Sequence, residues 1–325
     1  MATILKDTSR LEAVAVDTGN RFIKFFDRKG TPHKIPSYIK KLEDWQDELE
    51  ADSDSVVIVL DGQRYVVGKL GKELGGSPAF LGNKSQLAHL LILPAIYPIE
   101  GSKLPLEIEK LILTLPDSRH KENKDFLKSL EGTQTVTRNG FTFTYTIRKV
   151  VVVDECHGAY KFAVNGGLYQ HPNRINGVLD CGGGTTLGKL FTPNGNIHRE
   201  ADLVLPGTVN LARAIATSLT PKLGYTPDLD LILDGIGDGS YQLGTTDCNF
   251  KREFHPAHDA WLESIRTRLR ATWQPFYNQI AEVLIVGGSA PLLKSFEVKT
   301  NGRFKIVPTP QFMGIKGMQL LGGKS

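Results

Sequence analysis

Apolar positions along the chain come in short runs interrupted by glycine-bearing turns. Residues 13–17 form one such run, and after Thr18-Gly19-Asn20 a second, 22–26, begins at once, which predicts a β-hairpin. Residues 56–60 and 65–70 predict another hairpin, and 85–97 read as a helix as far as Pro94, which restricts the residue before it. Residues 111–116 form a short buried strand and 119–130 a helix with a polar face. Strands at 133–138 and 141–153 meet across Asn139-Gly140, a strong two-residue hairpin signal. Just past Glu155 the spacing turns helical and stops at Gly166-Gly167.

The second half repeats the plan of the first. Residues 175–180 predict a strand, 181–184 a tight glycine turn and 185–191 a returning strand, the arrangement already met at 13–26. A helix follows over 206–219 with Gly207 at its start. A long amphipathic helix over 258–273 places Trp261, Ile265 and Leu269 on one face. The intervening residues 220–257 are rich in Gly and Asp and poorly periodic. Residues 281–293 read strand, glycine turn, helix, and 311–321 read helix. Strands alternating with helices define an α/β class. A length of 325 residues exceeds one comfortable core, so two lobes are expected.

Composition changes this picture little. With 40% apolar and 23% charged residues the chain has the core formers of an ordinary globular protein. The net charge of +4 is spread among nearly as many acids, so charge alone favours neither a nucleic acid nor a membrane as partner; no direct, sequence-specific nucleic-acid binding is expected. Cys156, Cys181 and Cys248 lie far apart without a CxxC pair, which argues against a disulfide framework or a structural zinc. The first ten residues lack an apolar leader core, and the longest apolar stretch is short and broken by proline. No membrane span is expected, and the cytoplasm is the expected location.

The chemistry concentrates at three glycine turns. Asp17 ends a strand just before Gly19, whose lack of a side chain lets backbone amides approach an anion, and Lys24 follows as a point charge. The same pattern also fits a plain hairpin in which Asp17 caps the turn. At Asp180 the turn is sharper: Gly182, Gly183 and Gly184 give positive-φ freedom and leave no side chain between backbone and ligand. An acid at each hairpin suits Mg²⁺, which is held through one or two carboxylates plus phosphates and water. Gly287-Gly288, between a buried strand and a helix, exposes amides where a flat ring or ribose would fit.

In this order and spacing the three segments resemble the phosphate-1, phosphate-2 and adenosine motifs of the actin, Hsp70 and sugar-kinase superfamily. DTGN near the start, VVVDECHGAY before the second turn and PTPQFMGIKGM near the end resemble, within it, the bacterial actin-like proteins of the plasmid-segregation ParM/StbA type. The resemblance implies an actin-like, ribonuclease H-like fold with two duplicated lobes around a nucleotide cleft. It places lobe I at 1–170, with a terminal helix at 311–325 packing back on it, and lobe II at 171–310. It implies that Asp17, Thr18, Gly19, Asn20 and Lys24 bind phosphate and metal, and that Asp180 and Gly182, Gly183, Gly184 and Thr185 bind from the opposite side. Gly207 would come near the nucleotide, Gly287, Gly288 and Ser289 would hold the adenosine, and Glu155 would orient the attacking water. Asp17, Asp180 and Glu155 are thus the catalytic candidates, and Asp17 and Asp180 the metal ligands. ATP, with GTP as an alternative, and Mg²⁺ are the implied cofactors. The implied activity is an ATPase coupled to polymerisation, with self-association into filaments and a DNA-binding adaptor of the ParR type as partners. The implied role is plasmid segregation or a bacterial cytoskeletal element. A small-molecule kinase of sugar or pantothenate type is the alternative on the same fold, since fold does not settle function.

Other features have simpler readings. His255 and His258 lack a third ligand, as expected of surface residues. Asp234, Asp238 and Gly239 resemble a calcium loop, but position twelve is Thr245, so a turn is expected. Cys181, beside the phosphates, would be open to alkylation. Arg266, Arg268 and Arg270 read as a solvated helix face.

Overall fold

The computed structural model describes residues 10–83, 85–98 and 104–323; the polar stretch 1–9 lies outside them. One compact unit runs to Gly166 and takes in the segment from Phe312, and a second comprises Gly167–Gln311.

The first unit is built on a five-stranded sheet ordered Val150–Asp154, Leu111–Leu115, Val14–Thr18, Phe22–Phe26, Pro32–Pro36. The first three strands run parallel and the last two are antiparallel. The parallel strands are the near-continuous apolar runs, as strands covered on both faces must be. Helix His157–Asn165 and helix Met313–Leu321 pack together in this unit, and the latter lays Ile315 and Met318 against Ala15 and Ile112 of the sheet. A second, eight-stranded sheet carries the hairpins at 55–68 and 132–147. Asn139 and Gly140 both take positive φ at the tip of the latter, as the dipeptide predicts.

The second unit repeats the first sheet strand for strand. Its order is Phe304–Ile306, Ile280–Val286, Ile175–Cys181, Thr185–Phe191, Leu203–Pro206, again parallel through the first three and antiparallel after. In each unit the central strand is the earliest of its sheet and the hairpin partner follows it directly. Helices Thr208–Leu223 and Lys251–Trp273 cover the core, and Trp261, Ile265 and Leu269 are buried together in it.

Two elements depart from the sequence reading. The helix expected over 85–94 shrinks to Ala88–Leu91, with turns on either side. The carbonyls of Leu93 and Pro94 accept from the half-buried Arg138 guanidinium, at 3.2 Å each. Residues 220–257 are more ordered than their composition implies. Helix Leu229–Gly237 begins at Asp228, whose side chain accepts from the Asp230 N–H, and Ile232 and Leu233 are buried.

Candidate functional site

In the first unit, Asp17 sits directly opposite Lys24 in the antiparallel ladder, and the two make an ion pair of 2.8 Å. Ser37, fully buried, fixes the turn between them. Its hydroxyl donates to the Gly19 carbonyl at 2.7 Å and its N–H to the Arg21 carbonyl at 2.9 Å. A Cβ on Gly19 would lie 2.6 Å from the Phe22 carbonyl, so the tightness of this turn requires glycine. Sequence reasoning did not single out Ser37; its one signal is a lone hydroxyl after a strand ending in proline.

Two adjacent acids end the strand Val150–Asp154, and they do different things. Asp154 is buried and accepts from the N–H and hydroxyl of Ser118 at 3.1 and 2.8 Å, which ties two strand ends together. Glu155 donates its N–H to Leu115 and lines a cavity of about 230 Å³ that it shares with Thr18, Asn20, Thr114 and Pro116. The next residue, Cys156, holds a left-handed φ of 73° at the start of helix His157–Asn165. A side-chain-bearing residue there costs on the order of 1–3 kcal/mol. The chain therefore turns sharply right after Glu155, at a strained residue of the kind that clusters at working sites.

In the second unit the other candidates meet. Asp180 lies between Leu187 on one neighbouring strand and Val286 on the other. The turn after it is closed by Gly182 N–H donating to Thr185 at 3.0 Å. Gly207 seats the next helix against this turn: a Cβ there would lie 2.3 Å from the Gly183 carbonyl. The N–H groups of Thr208 and Val209 donate to the carbonyls of Gly182 and Gly183 at 3.3 and 2.9 Å. In a trans peptide the C=O and the following N–H point opposite ways, so the amides of Gly183 and Gly184 are directed away from that helix.

The third turn docks on the same strand end. Ser289 N–H donates to Cys181 at 3.0 Å, and the Ser289 hydroxyl lies 3.2 Å from that of Thr208. The left-handed backbone expected within the triple glycine falls here instead, on Gly287 with φ 90°. A Cβ on Gly287 would sit 2.4 Å from an Asp180 carboxylate oxygen. Gly287→Ala is expected to lower stability by about 1–3 kcal/mol through the φ and the clash together. A urea midpoint equal to that of the unaltered protein would show that the turn relaxes without loss.

Cys181 corrects an expectation. The thiol is fully buried, and burial, with the Asp180 charge, pushes its pKa well above the usual range, so it is neither accessible nor nucleophilic enough for ready alkylation. His255 is exposed, and His258 shares a hydrogen bond of 2.9 Å with the Leu292 carbonyl. Asp238 accepts from Ser240 N–H in a local turn. Among the described residues no cluster of three or more His, Cys, Asp or Glu could hold a metal on its own. Asp17 in the first unit and Asp180 in the second are each a carboxylate of the kind that can join phosphate and water around Mg²⁺. Within each unit the donors suit a phosphate-bearing ligand: a lysine beside a carboxylate in the first, and directed glycine amides beside a carboxylate in the second.

This duplicated sheet is the actin-like fold. Residues 15–158 match the family described as the N-terminal domain of actin like proteins. The archaeal actin homolog Ta0583 in complex with ADP has a TM-score of 0.75 at 17% identity, over 96% of this chain and 99% of that one. A 15-stranded ParM filament from Clostridium botulinum gives 0.74 at 18%, over 96% and 98%. Apo psk41 ParM gives 0.69 at 20%, over 96% of each chain. A search among curated proteins finds no significant match. The resemblance to actin-like proteins read from the sequence is borne out, and with it the α/β, actin-like class. Among the described residues no helix is long and apolar enough to cross a membrane.

Proposed function

We propose that this chain is an actin-like ATPase that binds ATP with Mg²⁺, assembles into filaments, and hydrolyses the nucleotide to time their disassembly. The observation that carries this reading is Glu155 lining one cavity with Thr18 and Asn20, an acid beside the turn that would receive phosphate. In this reading the amides of Gly183 and Gly184 and the turn at Gly19-Asn20 meet phosphate oxygens. Lys24 exchanges the Asp17 carboxylate for a phosphate. Asp17 and Asp180 supply oxygen ligands for Mg²⁺, which, when bound, neutralises charge developing on the phosphates. Gly287, Gly288 and Ser289 offer backbone to the adenosine, near Gly207. Glu155 holds a water in line with the terminal phosphoryl, and catalysis rests on that positioning and on electrostatics.

Support for nucleotide comes from the ADP complex of one structural neighbour, and for filaments from the ParM filament among the others. A role in plasmid DNA segregation through a ParR-type adaptor, or in a bacterial cytoskeleton, belongs to the same proposal, as does a cytoplasmic location. Ultracentrifugation of the purified protein with Mg²⁺ and ATP or GTP should pellet it above a critical concentration, and omission of nucleotide should leave it in the supernatant. Asp180→Ala should lose nucleotide binding or hydrolysis; wild-type hydrolysis in that variant would reject the second phosphate turn. A protein that stays monomeric with ATP and phosphorylates a small metabolite would be a kinase instead.

A further inference from the structure

A groove of about 950 Å³ in the second unit lies at the other end of its central strands from the glycine turns, at Ile280–Glu282 and Phe304–Lys305. It is basic and aromatic. Arg270 and Lys299 are exposed along it, and Arg303 lies over the Tyr277 ring at 4.9 Å, with Tyr277 itself 52% exposed. Trp273 and Phe304 stack at 6.3 Å in its wall. The acid among its described lining residues, Glu282, is buried and already held by Lys305 and by the N–H of Gln170. The arginines at 266 and 270, expected on a solvated face, therefore both turn to this groove, whereas Arg268 reaches the Val204 carbonyl elsewhere.

The first unit carries its chemical complement. Residues 43–54 hold seven acids, Glu43, Asp44, Asp47, Glu48, Glu50, Asp52 and Asp54, and no Lys or Arg; all seven are exposed. In their midst Trp45 is 81% exposed, the most exposed large apolar side chain among the described residues. The segment is braced: Arg64 donates to the carbonyls of Glu43 and Gln46 at 2.9 and 2.6 Å, and Gln46 accepts from Glu43 N–H at 2.8 Å. An exposed tryptophan on a braced turn loses little freedom on binding, the property of an interface anchor.

We propose that the acidic segment 43–54 of one copy docks in the basic groove of a second copy, with Trp45 against Tyr277 and Arg303 and the acids facing Arg270 and Lys299. Two different patches of one chain that complement each other make a heterologous contact, which propagates head to tail as an open filament when the rotation between copies does not close a ring. The contact rests on the filament reading above and supplies it with a specific joint. Charge complementarity makes it weaken as salt rises.

Two variants test it, neither touching the nucleotide turns. One carries Asp44→Lys, Trp45→Ala and Asp47→Lys; the other carries Arg270→Glu and Arg303→Glu. Each alone should raise the critical concentration at least about tenfold, as loss of an aromatic or arginine anchor does. Mixed in equal amounts with ATP and Mg²⁺, the groove of the first and the loop of the second remain intact, so sedimentation velocity should show dimers and nothing longer. If the unaltered protein pellets but the mixture forms no dimer, or if either variant assembles normally, the contact is wrong while the filament reading stands. If the unaltered protein does not pellet but the mixture dimerises, the contact stands and the filament reading fails, and absence of both removes both. Should the Arg303 change unsettle the fold by circular dichroism, Arg270→Ala with Lys299→Ala serves as the groove variant, with the same outcomes.

Discussion

Glu155→Ala should slow phosphate release by roughly 10²–10⁴-fold while nucleotide affinity stays unchanged. The loss is confined to turnover because Glu155 is placed by groups other than its own side chain: its N–H is bonded to Leu115, and the strained Cys156 sets the direction of the chain after it. The alternative role, an acid near a helix start complementing the dipole, is worth about 0.3–1 kcal/mol and would leave hydrolysis untouched. Filaments of the variant should form with ATP and come apart slowly. Phosphate release and depolymerisation measured on the same sample separate the outcomes: normal rates of both remove Glu155 from the site, and slow release with normal disassembly uncouples hydrolysis from filament lifetime.

Gly317→Ala should destabilise the first unit by about 3 kcal/mol or more, the upper range for forcing atoms into a packed contact. Helices His157–Asn165 and Met313–Leu321 cross at their glycines. A Cβ on Gly317 would sit 1.6 Å from the Gly158 carbonyl oxygen, and one on Gly158 2.4 Å from that of Gly314. The control is on the same helix: a Cβ on Gly314 meets nothing within 4 Å, so Gly314→Ala should be neutral or stabilising by up to about 1 kcal/mol. Chemical denaturation of both variants decides the matter, and equal midpoints would show that the helices shift apart at little cost. Because Ile315 and Met318 rest on Ala15, two residues before Asp17, Gly317→Ala should also lower hydrolysis.

The features legible in the sequence were those whose cause is local. A strand-ending acid followed by glycine announced both hairpins, and 3.6-residue spacing announced the helices around 206–219 and 258–273. Gly207 was readable as a helix opener because the next residues are periodic. What escaped depends on distant partners. Helix Leu229–Gly237 is short and glycine-bearing, and its stability comes from burying Ile232 and Leu233 rather than from propensity. Just past the curtailed helix at Ala88–Leu91, Arg138, more than forty residues away, takes the carbonyls of Leu93 and Pro94. The triple glycine was expected to need positive φ, whereas that demand falls on Gly287; around Gly207 and Gly317 glycine answers instead to close approach between segments remote in sequence. Cys181 was misjudged because adjacency to a turn says nothing of which way a strand residue faces.

The return of residues 312–321 to the first unit bears on how the protein is made. Ala15 and Ile112 wait for Ile315 and Met318 to cover them, and all of 167–311 is synthesised in between. The later unit is contiguous and can close its own core as it emerges, reversing the usual order in which the earlier-made part folds first. A nascent chain thus covers this face of the sheet carrying Asp17 only after residues 167–311 have been made.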